Sequence, residues 1–462
     1  MRGKQTKNVN VEIHMLQNFT LTNLNRDLTN APKMCQFGGV KRSRVSSQCK
    51  ARATRMHDFF VKAIREAQGD LGVRTKRLAG AIAKELSERL LETNDFRSEL
   101  GPLQEKTKEE IQRIAEEKVE PAANAVLHLI GLTPKGVNVA DSDSDTTDQE
   151  SAGQQAEYLL YVGKSDITSL AKLAADNRKK LNDLAKNIDA AIRSQETTKT
   201  GKAKKKDTRK IIEKLDGFED LEKVFKPLLR RKDQKGRTAY AADIALRGRM
   251  IANDKDMNVD SASQIAHMIG TSKLRIDNDF FTAVDDLLPS GESGAGMMGD
   301  LGMTSACYYS YANVEVRTLY KNLGNDVGLL KATIKGFLES FYGSFPSGKQ
   351  NSTAGFNYPC YVRIVVKGKN LPMNLANAFQ KPVVPDVQLS LEEASIAALE
   401  SRLQQERKMH GSLAGFDAII TERVATLYPD LVKDMSDRLV ADSASKAIED
   451  VCNAVEKEYA NA

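Results

Sequence analysis

Between a strand-like first segment and the first helical one, residues 25–55 read NRDLTNAPKMCQFGGVKRSRVSSQCKARATR, and this stretch constrains the chain more than any other. Lys41, Arg42, Arg44, Lys50, Arg52 and Arg55 fall within the fifteen residues that start at Lys41, with no acid among them. The pair Gly38-Gly39 allows a sharp turn and a close backbone approach to a ligand. Ser46, Ser47 and Gln48 stand where a helix should begin, and they supply a cap and neutral donors. Helix-start amides, hydroxyls and guanidinium groups together suit a phosphate backbone. The same charge run also suits a solvated loop.

Ahead of that stretch, Val9, Val11, Ile13 and Met15 alternate with polar residues, the period of a half-buried strand, and His14 falls on the opposite side. A helix is expected over residues 49–67. Two or three helical pieces follow over 74–132, interrupted near Gly101-Pro102 and at Pro121. Residues 141–150 hold five acids and no base, and residues 197–210 hold seven bases and one acid. Both read as flexible loops in a largely helical insertion, which also holds a strand candidate, EYLLYVG, and a helix over 168–194. Beyond Ala241 come strand-like DIALRGRMI and a helix through Ile265 and Met268. DFFTAVDDLL and YYSYANVEV then form a hairpin with a Gly- and Met-rich tip. Helices over 329–345 and 389–409 flank the strand PCYVRIVVKG. A closing helix buries Leu439, Ile448, Val451 and Val455.

At 462 residues the chain exceeds one ordinary core, so two or more domains or a core with large insertions are expected. Its net charge of +6 is small for that length, which puts any partner signal in local charge runs. Five cysteines, single and scattered, predict reduced thiols rather than disulfides or a zinc site. With no signal-like start and no run of about eighteen apolar residues, a soluble cytoplasmic protein is expected. GAGMMG at 294–299 lies in the hairpin tip rather than between a strand and a helix, so it is no dinucleotide turn. GSFPSGKQ at 343–350 has Gln350 where a phosphate loop needs Ser or Thr, and a helix precedes it. His14, His57, His128, His267 and His410 lack metal-site spacing and read as packing or surface residues. Asp285 and Asp286, adjacent on a strand, point to opposite faces and cannot flank one bond.

The ordered series LNRD, FGG, RVSSQ, DIALRGRMI, SQIAHMIG, DFFTAVDDL, YYSYANVEV, AGFNYP and LPMNLANAF closely resembles the type I-E CRISPR backbone subunits, the CasC (Cse-type) family of the Cascade surveillance complex. The match spans both ends of the chain. Residues 56–241 show no motif of that family, and the chain is longer than its usual members.

That resemblance implies an α+β fold: a ferredoxin-like (RRM-like) palm, a large mostly helical insertion forming fingers, and a protruding β-hairpin thumb. Palm strands would come from 9–16, 242–250, 307–316 and 361–366. The domains would be a palm of 1–56, 242–273 and 307–462, fingers of 57–241 and a thumb of 274–306. The implied role is a non-catalytic subunit that polymerises head to tail along CRISPR RNA and supports pairing with target DNA. Other Cascade subunits and a recruited nuclease would be its partners, with no cofactor and no membrane. Asn25, Arg26, Lys33, Lys41, Arg42, Arg44, Ser46, Ser47, Gln48, Arg52, Arg55, Arg249, Lys349 and Gln350 would contact RNA. Met250, Phe281 and Met298 would wedge a base out of line. Two alternatives stay open: an RNA-cutting backbone subunit with Asp27 as its acid and magnesium as cofactor, and a generic single-strand RNA-binding module.

Overall fold

The computed structural model describes residues 8–104, 106–132, 134–135, 155–156, 159–196, 209–230, 239–251, 254–284, 295–432 and 439–460. The acidic stretch 141–150, the basic stretch through residue 208 and the hairpin tip 285–294 with Asp285 and Asp286 lie outside these residues. The chain divides into two compact units, one of residues 1–69 and 261–462 and one of residues 70–260.

The first unit is built on β1 (Asn10–Thr22), β2 (Met34–Phe37), β3 (Val40–Val45), β4 (Ser263–Ile265), β5 (Met268–Gly270), β6 (Asp277–Val284), β7 (Ala295–Glu315), β8 (Tyr361–Lys367) and β9 (Ile419–Thr426). Their order is β9-β8-β1-β7-β5-β3-β2, with β4 and β6 also on β7. Every pairing is antiparallel. Its α-helices of nine or more residues are α1 (Ser47–Met56), α2 (Asp58–Glu66), α3 (Val327–Gly343), α4 (Leu391–His410) and α5 (Ala444–Tyr459). The run β8-β1-β7-β5, with helices after β1 and after β7, is the ferredoxin-like βαββαβ arrangement. The chain is thus α+β, as its sequence implies.

Three features differ from the sequence reading. Residues 242–250 are not a palm strand: Ala242–Arg247 is a helix of the second unit, ended by Gly248 at φ 72°. Residues 242–246 are all buried, and burial on every side hides the period that separates helix from strand. β4 and β5 supply the palm strand instead, where a helix through Ile265 and Met268 was expected. Each is three residues long, too short to show alternation. The expected helix over 49–67 is broken at His57, which is extended (φ −71°, ψ 140°) and accepts at Nδ1 from the Phe59 amide at 3.2 Å to start α2.

β1 is buried on both faces rather than one. α4 covers the second face, where Leu16, Tyr309 and Tyr361 cluster with Ile396, Leu399 and Leu403. Polar residues enclosed there must find partners inside. Glu12 pairs with Lys367 at 2.6 Å, and Arg363 grips Glu400 at 2.6 and 2.8 Å. His14 Nδ1 lies 2.9 Å from the Tyr309 hydroxyl. Burial first, then Arg363 and Lys367, holds its pKa down to about 3, so the ring stays neutral. α2 lies against α3 so closely that a Cβ on Gly336 would meet the Ala63 Cβ at 2.9 Å.

β7 does two jobs along its length. Residues 304–315 pair with β1, and residues 295–303 pair with β6 to form the hairpin. Hairpin and palm are therefore continuous through one strand.

The second unit is mostly helical, with helices Leu78–Leu90, Asn94–Glu99, Lys108–Leu129, Lys164–Asp176, Arg178–Glu196 and Phe218–Phe225 around one apolar core. Pro121 does not interrupt Lys108–Leu129 as expected. It sits on the exposed side, where water can take the carbonyl that its ring leaves without a donor. A Thr107–Glu110 capping box starts that helix.

Candidate nucleic-acid interface

The glycine pair closes a two-residue hairpin between β2 and β3, with Phe37 opposite Val40 and both glycines at positive φ (60° and 80°). Gly38 approaches the chain itself rather than a ligand: a Cβ there would fall 1.7 Å from the Gln380 carbonyl oxygen.

Two of the six cations in the run turn inward. Arg42 is fully buried. Its Nη1 donates to the carbonyls of Gly270 (3.1 Å) and Thr271 (2.6 Å), and its Nη2 to Phe379 (2.8 Å) and Gln380 (3.4 Å). Spent on carbonyls, it clamps β3 to β5 and to the segment after residue 375, and it cannot reach a phosphate. Lys50 is likewise buried, its Nζ donating to the Ser344 carbonyl at 2.9 Å. Arg249, in the second unit, is a third correction. It is buried and donates to the carbonyls of Met257 (2.8 Å), Tyr161 (3.2 Å) and Leu229 (3.0 Å). A sequence shows that a residue carries charge but not which way it points.

Of the remaining groups, Lys33, Arg44, Ser47, Gln48 and Arg52 lie about the start of α1, whereas Lys41 stands near the start of β3 and Arg55 in the last turn of α1. Lys41, Gln48 and Arg52 are exposed, and Lys33, Arg44, Ser47 and Arg55 are half-buried. The Ser46 hydroxyl caps α1 by accepting from the Cys49 amide at 3.3 Å, as its position predicts. Asn25 Oδ1 accepts from the Ser46 amide at 2.9 Å, and the Asn25 carbonyl accepts from the Lys33 amide at 2.8 Å. The Lys33 carbonyl in turn accepts from the Arg44 amide at 3.0 Å. Asn25, Lys33, Arg44 and the helix start are thus one stitched frame.

His267, which reads in the sequence as a packing or surface residue, joins this frame. Its Nδ1 accepts from the Ser47 amide at 2.8 Å. Partial burial, then Arg44 and Lys33, pushes its pKa down. The neutral ring, accepting at Nδ1, carries its proton on Nε2 beside two cations. Only the fold brings it there; SQIAHMIG holds no local signal for it.

The loop after β1 is organised by Asp27. Its Oδ1 accepts from the Thr29 hydroxyl (2.7 Å), the Thr29 amide (2.8 Å) and the Ala31 amide (3.1 Å). The Thr29 hydroxyl and amide hold its pKa below the ordinary carboxylate value. Arg26 stands exposed beside it, with Nη1 3.3 Å from Asn30 Oδ1. Asn23 Nδ2 donates to the Asn30 carbonyl at 3.1 Å and to the Gly302 carbonyl, at the base of the hairpin, at 3.0 Å. The Asp27 loop and the base of the hairpin therefore share one anchor. Among the described residues no group of three or more His, Cys, Asp or Glu is placed to hold a metal ion.

Gln350 is spent on its own loop: Oε1 accepts from the Gly355 amide at 2.8 Å and Nε2 donates to the Gly355 carbonyl at 3.2 Å. Lys349 stays half-buried beside it.

On the hairpin, Phe281 faces Gly299, Thr282 faces Met298 and Ala283 faces Met297. Residues directly opposite share a face and neighbours along a strand do not. Phe281 and Met297 thus lie on one face, and Phe280 and Met298 on the other. The expected wedge of Phe281 with Met298 is split between faces. All four side chains are exposed, as is Met250 in the second unit.

A model of the CT1975-like protein family matches residues 11–450. Among solved structures, a chain of a "CRISPR RNA-guided surveillance complex, pre-nicking" is 25% identical with a TM-score of 0.66, over 96% of this chain and 99% of that one. A chain of a second "CRISPR RNA-guided surveillance complex" shares the fold at 21% identity and a TM-score of 0.59, over 96% and 99%. No curated protein matches significantly. A family match over nearly the whole length, on a fold shared over 96% of this chain with a surveillance-complex chain, shows that this chain belongs to the CT1975-like family of CRISPR-associated proteins.

Proposed function

We propose that the chain is a non-catalytic backbone subunit of a type I-E surveillance complex, coating CRISPR RNA with head-to-tail copies of itself. The observation that carries this reading is the shared anchor at Asn23, which ties the Asp27 loop, continuous with Asn25 and Lys33 of the cationic frame, to the base of an exposed apolar hairpin. Lys33, Lys41, Arg44 and Arg52 hold phosphates without reading bases, so one subunit accepts any guide sequence. Phe281 interrupts base stacking, so that target DNA pairs in short segments that need no full winding around the guide. Asp27 shapes its loop and cuts nothing. Companion subunits cap the filament and a recruited nuclease performs cleavage, in the cytoplasm. Among the described residues no helix is long and apolar enough to cross a membrane.

The test is to sequence the RNA that co-purifies with the protein from its native host. A discrete RNA holding one repeat-derived end and variable spacers is expected. RNA of random sequence would reduce the reading to a generic single-strand binder. Target RNA cut at a regular spacing in magnesium, and lost in Asp27→Ala, would overturn the non-catalytic part.

A further inference from the structure

The loop between α3 and β8 carries an unassigned aromatic cluster. Phe345 is its root, packed on the core of Phe19, Leu24, Val45, Met268 and Tyr308. Phe356 and Tyr358 stand edge-to-face against it, with centroids at 5.7 Å and 5.3 Å and interplanar angles of 90° and 81°. These two outer rings are 61% and 64% exposed although Phe345 holds both in place, which leaves an apolar surface open to a partner.

The segment that holds them is seated firmly. Gln17 Nε2 donates to the Asn357 carbonyl at 2.7 Å. A Cβ on Gly348 would fall 2.3 Å from the Leu24 carbonyl oxygen, one residue before Asn25 of the basic frame. Lys349 and Ala354 both adopt left-handed backbone (φ 52° and 47°), and the Gln350 amide locks the turn between them. Non-glycine residues held in that region cost energy and concentrate at ligand clamps. From Ser340 to Cys360 the chain contains Lys349 and no acidic residue.

We propose that Phe356 and Tyr358 form a stacking platform for an unpaired base of single-stranded RNA, with Lys349 beside them for the adjoining phosphate. The platform rests on the RNA-binding reading above and deepens it. Base–aromatic stacking is indifferent to sequence because every base has a π-face, so the platform suits a subunit that must accept any guide. Rings braced edge-on by Phe345 lose little freedom when a base lands on them. Continuity with the basic frame through Leu24 and Asn25, and the lack of any acid in the segment, favour RNA over a second copy of the chain as the occupant.

The experiment uses the full chain and a short oligoadenylate RNA. The protein has no tryptophan, so Phe356→Trp introduces a single reporter at the platform. Its emission should be quenched as RNA is titrated in, at an affinity no weaker than that of the wild type. Phe356→Ala and Phe356→Leu should each weaken binding about tenfold with an unchanged salt slope, because stacking releases no counterion. Three results would overturn the platform. One is RNA binding without quenching. Another is unaltered affinity in the alanine and leucine variants. The third is loss of self-association in Phe356→Ala with RNA binding intact, which would make this a contact between copies. The first two leave the RNA-binding reading standing if Arg52→Ala still lowers the salt slope; a wild type that binds no RNA removes both.

Discussion

Phe281 lies directly across the hairpin from Gly299, and its ring occupies the space where a side chain at 299 would stand. A Cβ on Gly299 would meet Phe281 Cζ at 2.5 Å. The glycine lets the ring fold down onto the strand, which leaves Phe281 39% exposed against 67% for Phe280 on the other face. The ring is thus held in one direction by the absence of a side chain opposite it.

Gly299→Ala should therefore displace the Phe281 ring without unfolding the palm. Thermal unfolding of the RNA-free subunit should stay within about 0.5 kcal/mol of the wild type, since the hairpin lies outside the palm core. Guide RNA in the assembled complex should lose the periodic reactivity to chemical probes that a kinking thumb produces. Preserved periodicity would mean that the orientation of Phe281 does not matter to the kink.

The division of the hairpin into two faces makes a second prediction. Phe281 and Met297 are diagonal neighbours on one face, whereas Phe281 and Met298 are on opposite faces. In alanine double-mutant cycles read by target-DNA affinity, Phe281 with Met297 should couple by about 0.5 kcal/mol or more, and Phe281 with Met298 should be additive. Coupling in the second pair would mean that the register slips when nucleic acid is bound.

A third prediction separates inward from outward cations. Lys41→Ala and Arg52→Ala should each lower the magnitude of the salt slope for single-stranded RNA by about 0.7 and leave stability nearly unchanged. Arg42→Ala should destabilise the subunit by about 3 kcal/mol, because it strips donors from buried carbonyls at Gly270, Thr271, Phe379 and Gln380. Refolded Arg42→Ala protein should keep the wild-type slope. Urea unfolding and filter binding across a salt series read both quantities.

Charge, turn chemistry and alternation placed β1, the hairpin, β8 and the capped start of α1 in the sequence, because each depends on neighbours within a few residues. What remained hidden depends on distant partners. Arg42 and Arg249 look like surface cations until the carbonyls that surround them are known. His267 acquires its place only when β5 is laid beside β3. Phe356 and Tyr358 stand in a stretch with no local signal for exposure, and only the fold shows that they face outward. The helix at 242–247 is hidden because a segment covered on all sides keeps no periodic record of its geometry, whereas β1 alternates and still is buried on both faces, since Glu12 and His14 find their partners in Lys367 and Tyr309.

Lys50 supplies a prediction in pH. Its amine is enclosed above the Phe341 ring at 4.8 Å, with the Ser344 carbonyl as acceptor and Cys49 and His57 as the titratable groups nearby. Burial is the main cause that brings its pKa from the ordinary 10.5 down to about 7. Between those two values the folded chain binds fewer protons at this site than the unfolded chain, so stability rises with pH across that window. The slope is at most about 1.4 kcal/mol per pH unit. Below pH 7 the ammonium is buried with no carboxylate beside it, and folding carries its full desolvation cost. Lys50→Met keeps the apolar stem and removes the charge. Relative to the wild type, the variant should gain most near pH 6, and its advantage should shrink steadily toward pH 10, as read by urea unfolding over a pH series. Two profiles that run parallel would show that the Lys50 amine reaches water in the folded chain, and its hydrogen bond to Ser344 would then not be the resting state of the site.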